Sequence, residues 1–143
     1  MSGLLVDSCV ILDIITEDPK WFEWSSTILE KSARHNQLFI NPIIYAEVSI
    51  GFQKIEEMEV VLSQAIFKRI PLPWEAAFLA GKAFFQYRKI GGLKTLPLPD
   101  FFIGAHAAIE GWHLLTRDTK RFQYYYPKLK IISPDSNCLP IPY

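Results

Sequence analysis

The sequence has little cysteine, no excess of charge of either sign and no long uncharged hydrophobic run. Two cysteines in 143 residues cannot supply a disulfide framework, so we expect a protein of a reducing cytoplasm. No apolar run approaches the roughly 20 residues of a membrane span, and the N-terminus lacks the basic start of a signal peptide. A net charge of zero argues against a protein that holds nucleic acid by bulk electrostatics alone.

The composition is that of a folded domain, with 50% hydrophobic and 21% charged residues, and we expect one domain over residues 1–143. The charge is unevenly distributed along the chain. Residues 1–70 carry 6 Lys/Arg against 10 Asp/Glu, whereas residues 71–143 carry 9 against 5. Such a distribution is typical of an acidic site beside a basic track, or of surface charge that scatters without function.

Short apolar segments alternate with helical patterns. We predict strands at residues 4–6, 38–40, 113–116 and 130–132. We predict helices from an N-cap at Ser8 to residue 15, after Asp18-Pro19, after Asn41-Pro42, over 54–66, over 74–91 and from Pro99 to Gly111. This order predicts an α/β fold in which a short, mostly parallel central sheet is sandwiched by helices.

Two acidic residues follow predicted strands. Asp7 ends the first apolar run, and Asp118 lies two residues beyond the strand at 113–116. In a parallel sheet both carboxylates reach the same edge, where open α/β folds bind ligands. Taken singly, Asp7 is also compatible with a turn and Asp118 with a helix cap.

Two further acidic residues lie on predicted helices. The helical neighbours of Glu47 are Ile43, Ile44, Ile50 and Gly51, so we expect it on a buried stripe, where an ionised carboxylate requires a partner. Asp100 begins a helix whose small residues, including Gly104, let the helix approach the sheet. A cap for Asp100 and an exposed position at the edge of the core for Glu47 are the alternatives.

A cluster of four carboxylates requires a cation. Two unit charges about 5 Å apart repel by roughly 3 kcal/mol at an effective dielectric constant near 20. An all-oxygen ligand set favours Mg²⁺ or Mn²⁺ over zinc. The three histidines have no zinc-site spacing, and we expect surface or packing roles for them: His35, His106 and His113.

Four segments of the chain form an ordered set: "LLVDSCVIL", "PIIYAEV", "LPDFFIGAHA" and "LLTRDTKRF". In order and spacing, over nearly the whole chain, this set resembles the PIN domain family, and most closely its VapC-type toxin ribonucleases. The resemblance implies cleavage of single-stranded or structured RNA with Mg²⁺ or Mn²⁺, and inhibition by a partner antitoxin. It also implies a metal-binding and catalytic tetrad of Asp7, Glu47, Asp100 and Asp118.

The resemblance also assigns polar neighbours of this tetrad. Ser8 stands where the family has Thr or Ser, and Thr116 matches the hydroxyl residue before the last acid; both would position water or phosphate. Cys9 departs from the family's usual Asn or Ser. We expect direct metal ligation by Asp7 and Asp100, with Glu47 and Asp118 binding directly or through water.

Cations and aromatic residues cluster near the last acid. Arg117, Lys120 and Arg121 are candidates for contacting the RNA backbone. Phe122 and Tyr124 to Tyr126 could stack on bases or cover the core. The sequence has more aromatic residues than one small core needs, namely Trp21, Trp24, Phe84 and Phe85. This surplus predicts a groove that binds an antitoxin helix or a second copy of the chain in a homodimer.

Two other functions remain as alternatives. One is a non-catalytic interaction module that keeps the fold. The other is phosphotransfer through an aspartyl-phosphate, which is disfavoured because Cys9 replaces the second Asp of the haloacid-dehalogenase signature. Receiver domains need a phosphoacceptor Asp at the end of a later strand. After the predicted strand "LFI" that position is Asn41, which also disfavours phosphotransfer.

Overall fold

Five parallel strands form the centre of the fold. The computed structural model describes residues 2–91 and 98–134. The strands are β1 (Ser2–Val6), β2 (Asn36–Ile40), β3 (Phe67–Arg69), β4 (His113–Leu115) and β5 (Ile131–Ile132). Their order is β3-β2-β1-β4-β5, and every pairing is parallel. The predicted α/β fold with a parallel sheet is confirmed.

Seven helices connect these strands within the described residues. They are α1 (Ser8–Ile15), α2 (Phe22–His35), α3 (Pro42–Val48), α4 (Ile55–Val61), α5 (Trp74–Lys89), α6 (Leu98–Glu110) and α7 (Thr119–Tyr125). Leu4, Leu5 and Val6 of β1 are fully buried, as expected for a central parallel strand covered on both faces. In the part of the chain that the structure describes, no helix is both long and apolar enough to cross a lipid bilayer.

Several predicted boundaries are wrong. The charged helix predicted over 54–66 is shorter in the structure, where α4 ends at Val61. The edge strand β3 follows it from Phe67. The Asp18 carboxylate accepts hydrogen bonds from the amides of Lys20 and Trp21, which forms a turn, and α2 begins only at Phe22. The predicted stop at Gly91 agrees with its φ of 74°, a conformation that favours glycine, whereas Gly92 lies outside the described residues.

Two aromatic residues, one in α7 and one just after it, pack into the core. Phe122 and Tyr126 are buried, and the Tyr126 hydroxyl donates to the Phe101 carbonyl at 2.7 Å. A Cβ at Gly104 would lie 2.5 Å from the Tyr126 ring, so Gly104 allows close packing of this ring, whereas we predicted an approach to the sheet. Packing is therefore the role of Phe122 and Tyr126, and Tyr124 remains exposed.

Candidate active site at the carboxyl edge of the sheet

The chain reverses its direction across the sheet between β1 and β4. From β1 it proceeds outward to β2 and β3, then returns to place β4 on the other side of β1. The amide of Asp7 donates to the Leu115 carbonyl at 2.9 Å, which joins the two strand ends. Because ligands of open α/β sheets bind at such a switch point, this edge is the first candidate for a functional site.

Asp7 lies at the centre of this edge and is only 6% exposed. Its Oδ1 accepts a hydrogen bond from the Ser8 amide at 2.8 Å, and its Oδ2 accepts one from the Thr116 hydroxyl at 2.8 Å. Asp7 is thus the N-cap of α1, and our prediction of Ser8 as the cap is wrong by one residue. One carboxylate ends a strand, caps a helix and contacts the loop after β4.

Glu47 approaches this edge from α3. The Ser8 hydroxyl donates to Glu47 Oε1 at 2.8 Å, so one serine contacts two of the predicted acids. Asn41 caps α3 as predicted, since its side chain accepts from the Ile44 amide at 2.9 Å. The buried stripe predicted around Glu47 is wrong, because Ile50 is 83% exposed and Glu47 is only half-buried.

Thr116 connects the third acid. Its hydroxyl donates to Asp7 and accepts a hydrogen bond from the Asp118 amide at 3.2 Å. Thr116 is fully buried and Asp118 is half-buried. Asp7 and Glu47 through their carboxylates, and Asp118 through its backbone amide, therefore belong to one hydrogen-bonded network that contains both predicted hydroxyl residues.

Asp100 is buried in the first turn of α6, with 8% exposure. This helix ends at Glu110, just before the amino end of β4. Asp100 lies ten residues earlier in the helix, and at 1.5 Å per residue this is about 15 Å. Asp100 therefore lies toward the carboxyl edge of the sheet. A buried link holds α6 against α3: Nδ2 of Asn41 lies 3.0 Å from Nδ1 of His106. The packing role predicted for His106 is thus observed, whereas His35 is exposed and His113 half-buried.

Cys9 borders the same carboxylate. Its thiol donates to Asp7 Oδ2 at 3.6 Å and lies 3.8 Å from the Thr116 hydroxyl. Burial, with the neighbouring Asp7 charge, raises the pKa of Cys9 to about 12. At neutral pH this residue is therefore a protonated thiol, able to donate as a Ser or Asn side chain would.

The residues at this edge fit a hard cation by their chemistry, since their ligand atoms are carboxylate and hydroxyl oxygens. Within residues 2–91 and 98–134, however, no three His, Cys, Asp or Glu side chains are grouped closely enough to form a metal site as they stand. The Asp7 carboxylate accepts from the Ser8 amide and the Thr116 hydroxyl, and the Glu47 carboxylate accepts from the Ser8 hydroxyl. Metal ligation by the tetrad therefore stays a prediction.

The predicted cations differ in their surroundings. Nε of Arg117 donates to Asp13 Oδ2 at 2.8 Å, and its guanidinium lies 5.1 Å from the Trp21 ring centroid. Sequence analysis missed this pair, because 104 residues separate its members and nothing local marks Asp13 as buried. Lys120 is exposed, and the Arg121 side chain lies outside the described part of the structure.

Comparisons with known proteins identify one related sequence and several structures with a similar fold. A ribonuclease VapC of Rickettsia bellii is 24% identical over 139 residues, which cover 92% of this chain and 96% of the relative. The VapBC2 structure from Rickettsia felis, bound to a promoter DNA fragment, has a TM-score of 0.72 at 22% identity, covering 93% and 99% of the chains. VapBC-1 of nontypeable Haemophilus influenzae has a TM-score of 0.69 at 20% identity, covering 92% and 97%.

The model of the PIN domain family matches residues 4–126. This range begins in β1 and ends just after α7, so it includes Asp7, Glu47, Asp100 and Asp118. The resemblance stated from four sequence segments is confirmed, and the chain belongs to the PIN domain family.

Proposed function

We propose that this protein is a Mg²⁺- or Mn²⁺-dependent endoribonuclease that hydrolyses phosphodiester bonds of single-stranded RNA as the toxin of a toxin–antitoxin pair. One observation carries the proposal: Asp7, Ser8, Glu47, Thr116 and Asp118 share a hydrogen-bonded network at the switch point of the sheet. A relative named ribonuclease VapC and structural neighbours that are toxin–antitoxin complexes support it.

The proposed mechanism gives a role to each of these residues and to Asp100. Asp7 and Asp100 would hold the cation, with Glu47 and Asp118 as further ligands or as acceptors for its water. When bound, a divalent cation lowers the pKa of a water molecule and neutralises charge on the phosphate. The Thr116 and Ser8 hydroxyls fix the orientation of Asp7 and Glu47, so the carboxylates need little reorganisation before the reaction.

Partner binding belongs to the same proposal. Of the four aromatic residues from which we predicted a groove, Phe85 is exposed, while Trp21, Trp24 and Phe84 are half-buried. Trp74 and Phe78 are also exposed, and they lie on the same helix as Phe85. Phe78 follows Trp74 by four residues and Phe85 follows Phe78 by seven, so all three lie on one face of the helix. We propose that this face of α5 contacts the antitoxin or the second subunit of a homodimer.

The test measures cleavage of labelled single-stranded RNA in Mg²⁺ by wild type, Asp7→Asn and Glu57→Gln. Glu57 is an exposed carboxylate of α4 and serves as a matched control for loss of one charge. We expect cleavage by wild type and Glu57→Gln, and none by Asp7→Asn or in EDTA. Persistent cleavage by Asp7→Asn would reject the site, and no cleavage of any RNA by wild type would favour a non-catalytic module. A phosphorylated carboxylate would indicate phosphotransfer.

A further inference from the structure

A cavity of about 340 Å³ opens at the carboxyl ends of β2 and β3, on the same sheet edge as the acids. Ligand pockets have volumes of roughly 300–1,000 Å³, so this cavity is at the small end of that range. Its walls are mostly apolar and include Ile70 and Pro71, together with the polar residues Asn41, Tyr45 and Arg69. None of these five residues belongs to the predicted tetrad.

The strand register fixes how far this cavity lies from the acids. Leu5 pairs with Phe39, so continuing the register two residues aligns Asp7 with Asn41. The Ile70 amide donates to the Ile40 carbonyl at 3.0 Å, which places the far wall one strand further. With strands about 5 Å apart, the cavity lies one to two strand spacings, about 5–10 Å, from Asp7.

Arg69 is held rigidly in the wall of this cavity. One guanidinium nitrogen donates to Glu59 Oε2 at 2.8 Å and to the Leu62 carbonyl at 3.2 Å. The guanidinium lies 5.2 Å from the Tyr45 ring centroid, and the Tyr45 hydroxyl also donates to Glu59 at 2.8 Å. Nε of Arg69 is buried without a hydrogen-bond partner among the described residues. Because Nε is inaccessible even to water, a ligand would instead meet the exposed part of the Arg69 side chain, which is 32% exposed.

We infer that this cavity binds one nucleobase of the RNA strand beside the scissile phosphate, an inference that rests on the proposed ribonuclease activity. Bases of single-stranded RNA are splayed out, stacked on aromatic or guanidinium planes and hydrogen-bonded at their edges. A base is uncharged and planar, which suits a wall that contains the Tyr45 ring and the Arg69 guanidinium, because Glu59 already neutralises the charge of Arg69. An acidic peptide side chain would lie near the Glu59 carboxylate, which repels it.

The test compares cavity-filling variants on a random pool of single-stranded RNA, with the cut ends sequenced. Pro71→Trp fills the cavity from its exposed rim, and Ile70→Phe fills it more gently. Pro127→Trp is the matched control, because Pro127 is an exposed proline of another cavity, which is lined by residues that precede β4 and β5. Thermal melting compares the folding of all three.

We expect wild type to show a modest preference, roughly fivefold, for one base at a fixed position near the cut, because bases differ in how strongly they stack. At least one folded filling variant should reduce this preference below about twofold, while Pro127→Trp keeps it. A wild-type preference retained in both filling variants, or the absence of any preference in wild type, overturns the inference.

Binding separates this inference from the proposed activity. The affinity of Asp7→Asn for oligonucleotides that differ at one base is measured by fluorescence anisotropy, with and without Pro71→Trp. Base-dependent affinity that Pro71→Trp removes supports the cavity even if wild type cuts no RNA, whereas base-independent affinity overturns it. A Pro71→Trp protein that keeps the base preference but loses a co-expressed antitoxin would assign the cavity to a peptide and also overturn it.

Discussion

At the scale of single residues, Ser8 and Thr116 organise the candidate site. The Ser8 amide donates to Asp7 and its hydroxyl to Glu47, while the Thr116 hydroxyl donates to Asp7 and accepts from the Asp118 amide. The sequence could identify Asp7, Asp100 and Asp118 because they follow strands or begin a helix, whereas Glu47 was selected from a buried stripe that the structure does not show. It could not identify which hydroxyl binds which carboxylate, since these contacts join residues as far apart as Asp7 and Thr116.

Removing the Thr116 hydroxyl should weaken the site without unfolding the protein. Thr116→Val keeps the side-chain shape but leaves Asp7 Oδ2 without this donor, whereas Thr116→Ser retains it. Loss of a group that orients a metal ligand typically costs roughly 10–100-fold in metal affinity or activity. We therefore expect that reduction in kcat/KM on RNA for Thr116→Val and near-normal activity for Thr116→Ser. Equal activity of the two variants would contradict this role.

Cys9 should be an unreactive thiol in the native protein. Its pKa is raised from 9.0 to about 12 by burial and by Asp7, so little thiolate forms at pH 8. In a Cys138→Ser background, we expect iodoacetamide to label native Cys9 far more slowly than the urea-unfolded chain. Since the folded pKa exceeds the unfolded one, the stability that Cys9 contributes is complete below pH 9. It is lost as the pH rises toward 12.

A smaller alkaline loss of unfolding free energy in Cys9→Ser than in wild type would agree with this assignment. Equal labelling rates for native and unfolded protein would show that Cys9 is accessible as thiolate.

At the scale of elements, the loop after β4 is attached to α1 through an ion pair. The Asp13 carboxylate accepts from Arg117 at 2.8 Å and from the Ser25 hydroxyl at 2.7 Å. This places α1, α2 and the loop that carries Asp118 in fixed positions relative to one another. Arg117 is therefore bound within the fold, and its predicted contact with RNA would have to use the remaining guanidinium nitrogens.

Asp13→Ala should destabilise the fold because it leaves a half-buried guanidinium and a buried serine without their acceptor. Breaking a buried pair costs about 3–5 kcal/mol, and since the Arg117 side chain is 31% exposed we expect about 2 kcal/mol. Arg34→Ala is the control: its pair with Glu30 is exposed and should be worth less than about 0.5 kcal/mol. Urea denaturation measures both, and equal losses would contradict the assignment.

Two helical glycines should respond oppositely to alanine. Gly81 on α5 has nothing within 4 Å of an added Cβ, so Gly81→Ala should stabilise the protein by about 1 kcal/mol. At Gly104 the same atom would lie 2.5 Å from Tyr126 and 3.0 Å from Phe122. Gly104→Ala should therefore destabilise it by about 1–3 kcal/mol in the same urea titration. A stabilising Gly104→Ala would show that α7 packs elsewhere.

The elements predicted best were those with both an apolar core segment and a polar boundary. Asn41-Pro42 identified the start of α3, and "LLV" followed by Asp7 identified β1. The sequence did not reveal β3, because three residues that include Lys68 and Arg69 carry too little pattern, and this strand pairs only with β2. It also did not reveal α7, whose aromatic residues were considered only as stacking or packing groups.

At the scale of the whole molecule, strand order decides where the candidate site lies. The order β3-β2-β1-β4-β5 makes β1 central and brings the ends of β1 and β4 together, although 106 residues separate the two strands. Sequence alone predicted a shared edge for Asp7 and Asp118 from the assumption of parallel strands. The strand order itself depends on packing between distant segments, and local patterns do not specify it.

The most direct test of the central claim is a crystal structure of the protein soaked in Mn²⁺, with anomalous differences recorded. The account predicts an anomalous peak at the carboxyl edge, within about 2.3 Å of oxygens of Asp7 and Asp100, that disappears in Asp7→Asn. A peak elsewhere only, or well-ordered carboxylates at this edge with no peak at millimolar Mn²⁺, would contradict it.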